Sequence, residues 1–486
     1  MDQTELQEPI LSDRVLISGT ETPLTLTADG QLQCSDRSLT VEKEILGFYV
    51  EGSKIKIKAI VESGAGINCF GNRGAPVRKT FVFEPSSQDS LRLWSLKLQE
   101  YIDSLGRPKR LFIFVNPFGG KKSASKIFLD DVKPLLEDAN VEYTLQETKY
   151  QLHAKEITQT LDLTKYDGIV CVSGDGILVE VVNGLLERED WNDAIKMPLG
   201  VVPAGTGNGM IKSLLDSVGD PCTASNAILS VIRGHKRSLD IATILQGETR
   251  FFSVLMLAWG LVADIDIESE RYRWMGSARI DFYAFQRIFN LRKYNGRIMF
   301  VPAPGYESHG EPSSQKGESI RKPNICNSSL EMPVKLQQGG YSGPNVDLEN
   351  LNWRKIDGPF VSVWLHNVPW GGEDTMAAPN AEFSDGYLDL ILIRDCPKFP
   401  LLTLMTELSN GGHVKSPHVL YLKVKAFILE PGPRADDLTK EGIIDADGEV
   451  LARGKGTYEC NQKTLMTYDK LQITVDQGLA TLFSPI

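Results

Sequence analysis

Hydrophobic spacing along the chain changes character twice. From about residue 12 to 105 apolar positions come in short alternating runs that predict strands at 14–17, 24–27, 45–50, 54–61 and 79–83. A helix with apolar positions Leu91, Leu93, Trp94, Leu98 and Ile102 follows. Between about 108 and 240, apolar runs alternate with helical periodicity: strands at 111–115, 141–147, 168–173 and 198–202, helices near 122–137, 153–162 and 177–188, then two more helices. This alternation predicts an α/β fold with parallel strands and crossover helices. Beyond about 240 the pattern is mostly strands, interrupted by a helix beginning near Glu268, so a second, β-rich domain is expected. Residues 304–357 lack apolar periodicity and are dominated by Gly, Pro, Ser, Glu, Asn and Lys, which predicts a disordered insertion. The expected division is 1–107, 108–240 and 241–486.

Composition narrows the function classes. A chain of 486 residues has room for two or three cores. Its net charge of −11 leaves no basic footprint for nucleic acid. The seven cysteines (Cys34, Cys69, Cys171, Cys222, Cys326, Cys396, Cys460) are odd in number and never in C-x-x-C spacing, which predicts reduced thiols and a cytoplasmic setting. The start, Met1-Asp2-Gln3-Thr4-Glu5, has no apolar core of signal-peptide type. The longest apolar run, 251–263, is too short to span a bilayer and runs into Asp264 and Asp266, so any membrane association is expected to be peripheral. None of the six histidines has metal-ligand spacing, and a G-x-S-x-G elbow is missing, which argues against hydrolases.

Three of the predicted strands run straight into glycine turns. Leu111 to Val115 leads into Asn116-Pro117-Phe118-Gly119-Gly120-Lys121-Lys122, Ile169 to Val172 into Ser173-Gly174-Asp175-Gly176, and Leu199 to Val202 into Pro203-Ala204-Gly205-Thr206-Gly207-Asn208-Gly209. A lone Gly-Asp-Gly is often an ordinary turn. In open α/β sheets, however, ligands bind outside the carboxyl ends of the strands, where such loops converge, and helix N-termini suit phosphate. Lys121 lacks the glycine and hydroxyl residues of a P-loop, and the Gly-x-Gly-x-Gly of 205–209 fits a dinucleotide fingerprint poorly. Asp175, a carboxylate between two glycines at a strand-to-helix turn, is the candidate general base for phosphoryl transfer to an alcohol.

These motifs, together with Glu180, Asn183 and Gly184, resemble the lipid kinases of the diacylglycerol kinase catalytic fold. The stretch Ala258-Trp259-Gly260-Leu261-Val262-Ala263-Asp264-Ile265-Asp266-Ile267-Glu268-Ser269-Glu270 resembles sphingosine kinases, or long-chain base kinases. The resemblance covers roughly 108–300 and resumes from about 358. It implies a nucleotide domain of the NAD-kinase and diacylglycerol-kinase type, a β-rich lipid-binding domain, and ATP with Mg2+. Strands closed by a Trp-bearing helix at the start resemble a pleckstrin-homology-like domain.

Residue by residue, the resemblance implies Asp175 as catalytic base. It implies nucleotide contacts from Asn116, Gly119, Gly120, Lys121, Gly174, Gly176, Glu180, Gly205, Thr206, Gly207, Asn208, Glu270, Arg273, Arg279, Asp447, Gly448 and Glu449. Asp266 would receive the ammonium and hydroxyl of a sphingoid base, with Leu261, Val262, Ile280 and His413 around the acyl chain. Phe118 stands where animal members carry an arginine. The alternatives are a ceramide, diacylglycerol or NAD kinase, and a catalytically silent lipid-binding scaffold. Asp266 favours the sphingoid base, and an intact Asp175 speaks against the scaffold.

Overall fold

The computed structural model describes residues 9–35, 37–62, 76–120, 122–276, 278–313, 339–458 and 464–485. The first part is a seven-stranded antiparallel sheet in the order Arg37–Thr40, Gln31–Cys34, Thr20–Thr27, Pro9–Ile17, Pro76–Pro85, Lys54–Glu62, Ile45–Glu51. The strands at 31–34 and 37–40 escaped the sequence reading because each buries a single apolar residue, Leu32 or Leu39, too few to set an alternation. The helix Gln88–Ser104, capped by the Ser87 hydroxyl on Ser90 N–H, buries Leu91, Trp94 and Leu98 against the sheet. Leu93 points to solvent, and Trp94 meets Phe83 edge to face at 5.5 Å.

Parallel strands Glu142–Glu147, Arg110–Val115, Gly168–Ser173 and Leu199–Pro203 lie side by side in that order. The apolar runs are buried throughout, as strands covered on both faces must be. Register places Val115 beside Val172 and Val172 beside Val202, so the three glycine turns leave the sheet at one level. The helix expected near 122–137 runs from Ala124 to Asp138, with a π-helical turn at Phe128–Val132.

The β-rich part is continuous with this sheet. The last strand, Leu471–Phe483, is parallel to Leu199–Pro203 at Leu482 and antiparallel to Lys236–Gln246 and Leu420–Arg434. The helix expected near Glu268 begins earlier, at Leu261, directly after the strand Met256–Gly260. Its β-branched, apolar start reads as a strand continued. Gly260 makes the switch: its φ is +90° and a Cβ there would lie 2.5 Å from the Val361 carbonyl oxygen.

The expectation of disorder over 304–357 requires correction at both described ends; residues 314–338 lie outside the described residues. Arg354–Asp357 pairs with Tyr294–Pro302, Trp353 is buried, and the Arg354 guanidinium donates to the carbonyls of His309 and Gly310. Tyr341 N–H donates to Leu186 O and its ring lies against Trp191 and Phe252. Isolated aromatics in a polar segment carry no periodicity, which is why this order was not legible.

Candidate active site

The three glycine turns touch backbone to backbone. A Cβ on Gly205 would lie 2.4 Å from Gly174 Cα, one on Gly174 2.7 Å from Gly207 O, and one on Gly120 2.8 Å from Gly205 C. Only glycine allows this approach. Gly119 borders the same turn, and Thr206 is exposed at its rim. Lys121 lies outside the described residues.

Asp175 is the first residue of the helix Asp175–Leu186 and is buried. Its Oδ2 accepts from Gly209 N–H at 2.8 Å and its Oδ1 from Met210 N–H at 3.1 Å, so the helix Gly209–Asp216 presents its N-terminus to the carboxylate. Burial raises the carboxyl above its usual range, against the pull of those amides, and Glu373 adds to the rise. A more basic carboxylate held in one orientation results.

Several residues expected at the nucleotide instead shape the loops. Asn116 Oδ1 accepts from Phe118 and Gly119 N–H, an Asx turn, so this oxygen is engaged within its own loop. Asn208 bonds the Gly205 N–H and carbonyl and donates to Glu373 Oε1 at 2.6 Å. Glu180 accepts from Leu152 N–H at 2.8 Å and Ala154 N–H at 3.0 Å, capping the helix His153–Thr160. Asn183 ties the Asp175 helix to Phe252, and Gly184 lets Lys155 O approach, since a Cβ would meet it at 2.8 Å.

Asp447 departs furthest from expectation. It forms a two-residue hairpin turn with Gly448, at φ of +56° and +82°. The carboxylate turns inward, accepting from Ser253 Oγ and from the amides of Val254, Leu255 and Met256 at 2.7 to 3.0 Å. These four inward donors make Asp447 a pin for the hairpin. Its neighbours reach the site: Glu449 accepts from Gln151 Nε2 and lies 3.8 Å from a Cβ built on Gly176, and a Cβ built on Gly448 would lie 4.0 Å from Asp266 Oδ2. The hairpin thus connects the surroundings of Asp175 with those of Asp266.

Asp266 is on the helix Leu261–Glu268. Burial raises its carboxyl, opposed by a hydrogen bond with Asp445 and by the Arg279 charge, with Glu270 adding to the rise. Arg279 is buried, and its Nη1 has no hydrogen-bond partner. The side chain of Arg273 lies outside the described residues. Leu261 and Ile280 share an apolar cluster with Ile265, Tyr283, Leu401 and Leu404, whereas Val262 packs against the α/β core. His413 is buried, its Nε2 at 3.0 Å from the Ala377 carbonyl, with burial lowering the imidazole, and its turn packs against the helix Lys398–Glu407 that carries Leu401 and Leu404.

Sequence reasoning missed Glu373, Gln151 and Asp445. The Gly371-Gly372 pair before Glu373 was a usable signal; Gln151 and Asp445 carried none. Among the described residues no group of three or more His, Cys, Asp or Glu could hold a metal ion, and no helix is long and apolar enough to cross a membrane.

Comparison with known proteins agrees with this geometry. The family model "Diacylglycerol kinase catalytic domain" matches residues 110–244, and "YegS C-terminal NAD kinase beta sandwich-like domain" matches 345–467. "Sphingosine kinase 1" of Arabidopsis thaliana is 64% identical over 488 residues, covering 100% of this chain and 98% of that protein. "Sphingosine kinase 2" of the same plant is 62% identical, covering 100% and 99%. "Sphingosine kinase 1" of Homo sapiens is 34% identical over 363 residues, covering 71% and 87%. The chain therefore belongs to the sphingosine kinase family and is a lipid kinase.

Proposed function

We propose that the protein phosphorylates the primary hydroxyl of a sphingoid long-chain base at the expense of ATP, with Asp175 as general base. The observation that carries this reading is the Asp175 carboxylate, buried where the three glycine loops meet and oriented by two amides of the helix Gly209–Asp216. The acceptor hydroxyl would lose its proton to Asp175 as its oxygen takes the γ-phosphoryl group. Gly119, Gly120, Gly174, Gly176, Gly205, Thr206 and Gly207 form the cradle in which phosphate can approach backbone N–H groups, and Arg279 supplies a buried guanidinium with an open donor. Gly448 borders Asp266, Glu449 borders Gly176, and the Glu270 charge acts on Asp266.

The donor set fits a nucleotide better than a caged metal. Magnesium commonly binds through one or two carboxylates and substrate phosphates, and would neutralise phosphate charge here. Asp266 would pair with the substrate ammonium, with Leu261, Ile280 and their cluster beside the alkyl chain. Exposed Trp274, Phe282, Phe285, Phe289 and Phe399 lie around the same helices, which supports peripheral contact with a bilayer from which the base is drawn.

Asp175→Asn tests the reading. Turnover of sphingosine should fall on the order of a hundredfold or more while ATP binding is retained. In the wild type, efficiency should decline as pH falls through the raised Asp175 range, because protonation removes the base. Near-normal turnover in the variant, with the same acid limb, would remove Asp175 from the mechanism.

A further inference from the structure

Asp445 lies on the strand Ile443–Ala446, paired with Ala258 of Met256–Gly260, and is fully enclosed. No N–H or hydroxyl donor reaches either carboxyl oxygen. Buried Asp240 and Asp447, by contrast, each take backbone amides. What Asp445 meets is another acid, the Asp266 carboxyl on the helix packed over its strand.

Two carboxyl groups in contact do not both ionise; they share a proton, and the environment decides which holds it. Asp445 is closed off from water and feels the negative charges of Asp266, Asp447 and Glu449, all of which, with burial, push it well above the usual carboxylate range. Asp266 is partly exposed and has the Arg279 guanidinium nearby, with Glu270 the opposing charge. Proton and anion are therefore assigned to different sides of the pair.

We propose that Asp445 is a positioning residue that carries the shared proton and donates it to Asp266, holding Asp266 as the anion turned toward the substrate ammonium. The inference rests on the reading of Asp266 as the ammonium partner. No covalent chemistry is involved; the proton stays in an O–H···O hydrogen bond between the two side chains. The arrangement converts a repulsive acid pair into one fixed negative charge. It also gives the inner carboxyl a reason to be there, since a buried acid without a partner is costly.

Two measurements separate this proposal from the reading beneath it. A difference infrared spectrum between wild type and Asp445→Asn at neutral pH should show loss of a protonated-carboxyl carbonyl band. Its absence would overturn the assignment of the proton, whatever the substrate. The kinetic arm compares KM for sphingosine and for ATP. Asp445→Ala should raise KM for sphingosine about tenfold or more with KM for ATP unchanged, while Asp445→Asn, whose amide still donates to Asp266, should stay within about threefold of wild type. An unaltered KM in Asp445→Ala, or an Asn variant as impaired as the Ala variant, would overturn the positioning role. If Asp266→Asn itself leaves KM for sphingosine unaltered, the ammonium reading fails and the positioning role fails with it, whereas the infrared band still decides where the proton lies.

Discussion

A carboxylate in a glycine turn has the same sequence signature whether it faces outward to a ligand or inward to the backbone. Asp175 and Asp447 both sit beside glycine at the end of a strand, and both were expected in the active site, Asp175 as the base and Asp447 at the nucleotide. Asp447 turns inward, and its four donors come from Ser253 to Met256, far away in sequence. Asp175 also takes two amides, but from the rim of the glycine loops. The location of the loops was legible because buried strands announce where they end; the side-chain direction within each loop depends on tertiary partners that no local pattern records. Asn116, Asn208 and Glu180 follow the same rule, each serving the backbone of a loop. Asp447→Ala strips the acceptor from one hydroxyl and three amides at a buried turn, and Ala is also strained at φ +56°. A loss of about 3 kcal/mol or more is expected in urea unfolding. Asp447→Asn keeps an acceptor oxygen and tolerates the backbone, so it should lose distinctly less. Equal losses would show that the full carboxylate, with both oxygens accepting, is what holds the hairpin, and that backbone strain adds nothing.

Among the elements, the helix Leu261–Glu268 carries the proposed ammonium partner Asp266, and it is held from beneath by ions. Arg292 contacts Asp264 at 3.3 Å and Glu268 at 2.9 Å, Arg287 lies 3.5 Å from Asp264, Tyr294 donates to Asp264, and Tyr283 donates to Glu268. Burial pushes the Asp264 carboxyl up to about 6 despite Arg292. These contacts join the helix to Ala278–Phe289 and to the strand Tyr294–Pro302. In sequence the Asp-Ile-Asp-Ile-Glu alternation does not show which of its acids share a face. The structure divides them: Asp264 and Glu268 serve the ionic network, and Asp266 faces Asp445 and the Asp447-Gly448 turn, a division set by helical rotation of about 100° per residue. Removing one partner of a buried ion pair typically costs about 3 to 5 kcal/mol, because the remaining charges stay enclosed. Arg292→Met should therefore lower the unfolding free energy measured in urea by that order and weaken sphingosine binding together with it. Unchanged stability would mean that Arg287 alone suffices to neutralise both acids.

At the scale of the whole molecule, the order of strands in space explains why a chain read as separable domains is coupled. The N-terminal sheet is joined to the α/β part by Arg107, whose guanidinium donates to the carbonyls of Val41, Glu42, Ile45 and Leu46. Lys58 and Arg78 also pair with Asp138, Arg233 donates to the Lys43 carbonyl, and Leu46 and Ile60 pack into the α/β core. The last strand is different, because Leu471–Phe483 pairs with strands on both sides of the expected boundary at 240. Its position could not be read from hydrophobic spacing, which shows that a strand exists but not which neighbours it chooses. Phe483 ends this strand inside the α/β part: a Cβ on Gly168 would lie 2.5 Å from its ring and one on Gly200 3.5 Å, so the two glycines form the slot that the ring fills. Phe483→Ala empties the slot, and large-to-small changes of this kind cost about 3 to 5 kcal/mol. If the shared strand couples the halves, calorimetry should show the nucleotide and β-rich parts melting in one transition that shifts as a unit in the variant. Asp175 would lose its support at the same temperature as Asp266, although the mutated ring touches neither. Two transitions, only one of them moved by Phe483→Ala, would instead make the halves independent and leave their alignment across the cleft to the Asp447-Gly448-Glu449 hairpin.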